Sequence, residues 1–362
     1  MRPPNCWSWL MSFLAVGPAS SPAPSLWHAV PYVREDARRP RPAPVGLAVT
    51  ALVDDGRGPA SGGPGTGATV SRAQASEQQG TTRGLVLGGG GVAGIAWETG
   101  LLSGLIAAGV DLAAADAVVG TSAGSVVAIN LRAGAIDAAY DEHFVDVAGM
   151  AEPTGSRDLS RTIEVLGEGV VSTAGEIPTR QRIGEFALEE YDPEVDDAAS
   201  VERIGQLLPI RDWPEQDLRI TAVDAGTGRF TVFDKDSGAD LVRASAASCA
   251  VPGVFPPVTI DGRPYMDGGM RSSTNADVVA EHERILVIAC GPEAPASGMG
   301  PTLSTVVQQL RGRAEVLVIQ ADAESTAAFG ENSLLLSTRK ASAEAGRRQA
   351  ERVADEVRAF WG

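Results

Sequence analysis

Twice between Gly84 and Leu131 a short apolar run stops at glycine and gives way at once to a helical pattern. The first run, Gly84-Leu85-Val86-Leu87, is closed by Gly88-Gly89-Gly90-Gly91-Val92-Ala93-Gly94 and followed by Trp97, Leu101, Leu105 and Ala108 at helical spacing. The second, Asp116-Ala117-Val118-Val119, is closed by Gly120-Thr121-Ser122-Ala123-Gly124 and followed by a helix through Leu131. A β-α-β-α unit of this kind confines the chain to an α/β fold whose parallel strands are joined by helical crossovers. Further strands are expected at 218–223, 229–233, 284–288 and 315–319. The predicted architecture is therefore a three-layer sandwich with a mostly parallel central sheet.

Gly120-Thr121-Ser122-Ala123-Gly124 fits G-x-S-x-G at a strand-to-helix junction, the context of a nucleophile elbow. Such a turn holds its serine in a sparsely populated backbone conformation, and side chains two residues before or after would collide, so Gly120 and Gly124 suit it. The turn would project Ser122 Oγ at a helix N-terminus, where the helix dipole favours developing negative charge. In a chain with 42 glycines the pentapeptide alone says little, and it is the flanking strand and helix that give it meaning.

The earlier glycine cluster admits two uses. Gly89 to Gly94 satisfies G-x-G-x-x-G, the dinucleotide turn, but that fingerprint also wants an acidic residue at the end of the second strand. Here the second strand runs into the serine turn. An oxyanion hole built from the amides of Gly89, Gly90 and Gly91, with Gly94 supporting the motif, fits better, each donor contributing roughly 3 kcal/mol.

Later, Asp267-Gly268-Gly269 follows Arg263-Pro264-Tyr265-Met266. Asp-Gly is also a common turn pair, but Asp261-Gly262 already stands between the apolar runs 258–260 and 264–266 as a hairpin turn, which leaves Asp267 for chemistry. In their order and spacing, GGGVAG, GTSAG and Asp267-Gly268-Gly269, together with the block from Arg243 to Val258, resemble the patatin-like phospholipase family from about Arg83 to Ile288. The resemblance implies a serine acyl hydrolase acting on lipid acyl esters, in which Asp267 takes the proton directly from Ser122 and no metal or organic cofactor takes part. It also implies a lipid or acyl-ester substrate and transient contact with membranes or micelles. Asn275 is similar to an asparagine often found after the family's aspartate; positioning that loop and simple helix capping are its two readings. Relatives often carry Arg or Lys where this chain has Ala93, so one cation that could meet an acidic head group is missing.

The three histidines agree with a dyad. His28 lies in a low-complexity stretch and His143 in a polar helical one; His282, between Glu281 and Glu283 at a polar helix end, is the one late candidate for a Ser-His-Asp triad and is disfavoured by that setting. Nor do Cys6, Cys249 and Cys290 form a disulfide framework or a zinc pattern; the last two sit in apolar runs as small core residues, and a cytoplasmic location is expected. Lys and Arg total 30 against 46 Asp and Glu, a net charge of −16 with no basic stripe, which argues against nucleic acid.

Residues 1–82, rich in Pro, Gly, Ser and Ala, read as a disordered extension, with secretion the alternative should residues 1–20 act as a signal peptide. Residues 83–362 read as one hydrolase domain with a helical lid or cap over 137–209. From Ser337 to Trp361 a helix with Ala350, Val353, Ala354, Val357 and Phe360 on one face is expected to dock on the core. Two rival functions remain: a catalytically silent scaffold, predicting no ester turnover, and a dinucleotide-binding oxidoreductase, predicting no serine reactivity.

Overall fold

A computed structural model describes residues 81–150, 152–153, 158–191, 193–293 and 296–362. The expected N-terminal extension and signal-like stretch lie outside the described residues, apart from Thr81 and Thr82.

Strands β1 (Arg83–Leu87) and β2 (Ala117–Thr121) are buried almost throughout, which explains why their sequences are continuous apolar runs. Alternate residues serve different cores. Leu85, Leu87 and Val118 face one cluster with Trp97 and Leu101, while Val86, Ala117 and Val119 face another with Val306 and Leu310. With helices on both faces, the expected three-layer sandwich is the observed one.

The described strands form an eight-stranded sheet. Five are parallel: β3 (Asp217–Asp224), β2, β1, β7 (Arg284–Ala289) and β8 (Glu315–Gln320). Three add antiparallel pairings at the β3 end: β4 (Phe230–Phe233), β5 (Val258–Ile260) and β6 (Arg263–Asp267). The β5–β6 hairpin turns at Asp261 (φ 50°) and Gly262 (φ 72°), the two positive φ values of a type I′ turn.

One register decides where the site forms. Parallel β2 pairs with β3 up to Thr121↔Thr221, and antiparallel β6 begins its pairing on the next residue, Asp267↔Ala222. Because β4 overlaps both pairings on β3, it must occupy the opposite edge, so β2 and β6 meet end to end on the same one. The residues where they stop are Thr121 and Asp267.

Helix α1 (Gly91–Ala107) follows the first glycine cluster and α2 (Ala123–Arg132) the second. The 137–209 region is helical: α3 (Ile136–Glu142), α4 (Ser160–Val171), α5 (Glu176–Glu190) and α6 (Pro193–Gly205). Then come α7 (Leu241–Ser248), α8 (Leu303–Leu310), α9 (Ala323–Phe329) and α10 (Arg339–Trp361). The expected face of α10 is buried or half-buried against the core, and it extends further through Ala343, Ala345, Gly346 and Gln349. Small residues permit this, since a Cβ on Gly104 would strike Ala350 and one on Gly346 would strike the Trp97 carbonyl. No helix among the described residues is long and apolar enough to cross a membrane.

Candidate active site

Ser122 sits between β2 and α2 with φ 52° and ψ −117°, a strained conformation for a residue with a side chain. Its two glycines are required sterically: a Cβ on Gly120 would lie 2.5 Å from Ser125 Cα, and one on Gly124 would overlap the backbone of Leu87. Neighbouring groups hold the turn. Ser122 N–H donates to Ser248 Oγ (2.8 Å), and Ser125 Oγ donates to the Ser122 carbonyl (2.7 Å) and touches Ser245 Oγ (2.9 Å). The 243–258 block recognised by resemblance thus brackets the serine turn through Ser245 and Ser248.

Asp267 ends β6 and is 2% exposed. Its Oδ1 accepts the Gly269 N–H (2.7 Å) and its own N–H donates to the Ala250 carbonyl (2.9 Å). Burial pushes the carboxyl up to about 7, with the neighbouring Ser122 side chain and the Gly269 N–H pulling the other way. Gly268 must be glycine because a Cβ there would press on Thr221.

Asn275 is fully buried in a left-handed conformation (φ 49°, ψ 40°), and its side chain caps no helix. Its Nδ2 instead faces Thr121 Oγ1 (3.2 Å), Thr221 Oγ1 (3.3 Å), the Gly268 carbonyl (3.2 Å) and the Ser272 carbonyl (2.8 Å). Thr121 and Thr221 also touch each other through Oγ1 (2.8 Å). One amide therefore ties together the end of β2, the middle of β3 and the aspartate loop.

The glycine loop lies beside this pair and is joined to it by the bond from Gly124 N–H to the Gly88 carbonyl (2.9 Å). Gly89 corrects the expected donor set: its N–H is committed to the Ser273 carbonyl (2.8 Å), although its Cα side closes on Ser122. Gly90, Gly91 and Ala123 have amides to which no acceptor is offered among the described residues. Gly94 packs against Cys290 and Ala123. Behind the loop, buried Glu98 accepts the Gly88 N–H (2.9 Å); burial raises its carboxyl well above the usual range. Sequence reading had no signal for Glu98, which looks like one polar position on an apolar helix.

A cavity of about 380 Å³ opens from Ser122 and Ala123, walled by Ile95, Ile204, Leu207, Val251, Phe255 and Leu334, with Arg203, Arg339 and His143 among its lining. His143 is held down to about 4 by burial and by the neighbouring Arg339 cation, so its ring is neutral. Cys249 also lines the cavity, its Sγ in contact with Ser125 Oγ (3.8 Å), with burial pushing its thiol up to about 12. His282 lies near Gly84, at the opposite end of β1 from Ser122.

A family model described as patatin-like phospholipase matches residues 85–280. Among solved structures, VipD from Legionella pneumophila aligns at 14% identity and a TM-score of 0.35, over 76% of this chain and 67% of that one. The type III effector protein ExoU aligns at 19% identity and a TM-score of 0.32, over 75% of this chain; the chain spans 54% of ExoU.

Proposed function

The chain belongs to the patatin-like phospholipase family of lipid acyl hydrolases, and on that footing we propose that it cleaves acyl esters with Ser122 as nucleophile and Asp267 as its base. The observation that carries this reading is a strained elbow that sets Ser122 beside a buried Asp267 carboxyl poised at about 7, on which the Ser122 side chain acts.

Ser122 Oγ attacks the ester carbonyl carbon while its proton passes to Asp267. The carbonyl oxygen, now negative, takes hydrogen bonds from the amides of Gly90, Gly91 and Ala123. As the tetrahedral centre collapses, the ester C–O bond breaks and Asp267 gives its proton to the leaving alcohol. Water then attacks the acyl-serine, Asp267 accepts its proton and returns it to Ser122, and the carboxylic acid departs. Every proton borrowed is returned, and no external oxidant or reductant enters.

An acyl chain suits the cavity because most of its wall is apolar. Met150 and Leu207 line it while exposed, and Phe144 and Val145, beside His143, are exposed too, which supports transient contact with a micelle or membrane surface. The test is hydrolysis of short- and long-chain p-nitrophenyl esters by the wild type and by folded Ser122→Ala and Asp267→Asn variants. Turnover lost in both supports the dyad; turnover retained in either removes that residue from it.

A further inference from the structure

Arg203 and Arg339 are guanidinium groups without carboxylate partners among the described residues. Arg203, on α6, stacks over the Phe255 ring with Cζ 4.0 Å from its centroid and forms no ion pair among the described residues. The ionisable group that acts on it is Cys249, a neutral thiol, and no carboxylate among the described residues pairs with Arg203. Arg339, the first residue of α10, donates through Nε to His143 Nδ1 (3.4 Å) and through Nη2 to the Glu142 carbonyl (2.6 Å), and it too has no ion pair among the described residues. The Glu142 carboxylate reaches it only as a field from beyond ion-pair range.

His143 completes the group. Since Arg339 donates to Nδ1, the neutral ring carries its proton on Nε2, and that atom is buried with no partner among the described residues. All three residues line the cavity that starts at Ser122, and among the described residues no Asp or Glu shares that lining. In a chain of net charge −16, this cavity concentrates two cations and an unspent donor.

Desolvated cations without counter-ions are costly, and a ligand anion would relieve that cost. A choline head group would bring an ammonium as well, for which the lining offers no carboxylate among the described residues. We propose that Arg203 and Arg339, assisted by His143, make this cavity selective for acyl esters whose alcohol carries an uncompensated phosphate, over uncharged or choline-bearing esters. The inference rests on the acyl-hydrolase reading of the same cavity and assigns its substrate class. Guanidinium groups match phosphate oxygens in pairs, so each contributes orientation as well as charge.

Binding is read in full-length Ser122→Ala protein, where turnover cannot interfere. The probes are a 1-dodecanoylglycerol 3-phosphate, the matching 1-dodecanoylglycerol, its phosphocholine counterpart and inorganic phosphate, each below its aggregation threshold, by titration calorimetry. The expected result is at least about tenfold tighter binding of the phosphate monoester than of the uncharged or choline lipid. That preference should collapse in Arg203→Met, which keeps the stem over Phe255, and shrink in Arg339→Met, with thermal melts confirming both folds. Equal affinity for the three lipids, or a preference surviving both substitutions, overturns the proposal. Inorganic phosphate binding as tightly as the phosphate lipid also overturns it, making this a free-phosphate site. Failure of the dyad would leave the preference standing, and loss of the preference beside intact ester turnover would leave the dyad standing.

Discussion

Ser248 Oγ accepts the backbone N–H of Ser122 at 2.8 Å. The bond crosses from α7 to the serine turn and holds a backbone whose φ of 52° costs on the order of 1–3 kcal/mol. It also engages the Ser122 amide, so that amide does not join Gly90, Gly91 and Ala123 in facing an oxyanion.

Replacing Ser248 by alanine leaves that buried N–H without its partner, a loss of about 1–3 kcal/mol. Ser248→Ala should melt several degrees below the wild type and lose about tenfold in kcat with little change in KM, because the acyl cavity is untouched. Thermal denaturation and steady-state kinetics on one ester check both.

The pH dependence follows from Asp267. Burial raises its carboxyl to about 7, and in the proposed dyad the ionised form acts as the base, so kcat/KM should climb with pH through about 7 and level off above it. Stability runs the other way. The folded chain holds this proton more tightly than the unfolded chain, so the contribution is complete below about pH 4 and is lost as pH rises through 7, on the order of a few kcal/mol. Asp267→Asn, which cannot ionise, should lack this particular decline when both proteins are melted at pH 5 and pH 8.

Asn275 should matter to both fold and rate. Asn275→Ala removes an amide that meets two threonines and two carbonyls, and about 3 kcal/mol of stability should go with it. As Asp267 would no longer be held against the end of β2, kcat should fall at least tenfold while KM changes less. Urea denaturation and kinetics at saturating ester test the two parts separately.

Gly124→Ala places a methyl group on the Leu87 backbone, where no side chain can rotate away. Overpacking of this kind costs about 1–3 kcal/mol or more, and the strand-to-helix junction must shift to accept it. The variant should melt at least 5 °C lower, roughly, and lose most esterase activity, both readable in one purified sample.

The elements nearest the site were the most legible. Two apolar runs ending in glycine located β1 and β2, and the Asp261-Gly262 pair located the β5–β6 hairpin, because strand burial and positive φ leave local traces. Gly120, Gly124 and Gly268 were readable because a Cβ at each would meet backbone or a packed side chain. Arg203, Arg339 and Glu98 left no such trace: each sits at an ordinary helical position, and only the folded chain brings it to the cavity or behind the glycine loop. The Gly89 amide was misassigned for a related reason. A run of glycines shows which amides are unobstructed, but the Ser273 carbonyl that accepts this one arrives from much later in the chain.

The central claim is that Asp267 activates Ser122. The most direct measurement is the rate of covalent labelling by an alkyl fluorophosphonate at pH 8, with the adduct located by peptide mass spectrometry. The account predicts one adduct per chain, on Ser122, forming at least about a hundredfold more slowly in Asp267→Asn, within the range general-base catalysis contributes. An adduct on another residue, or labelling of Ser122 at the wild-type rate in Asp267→Asn, would contradict it.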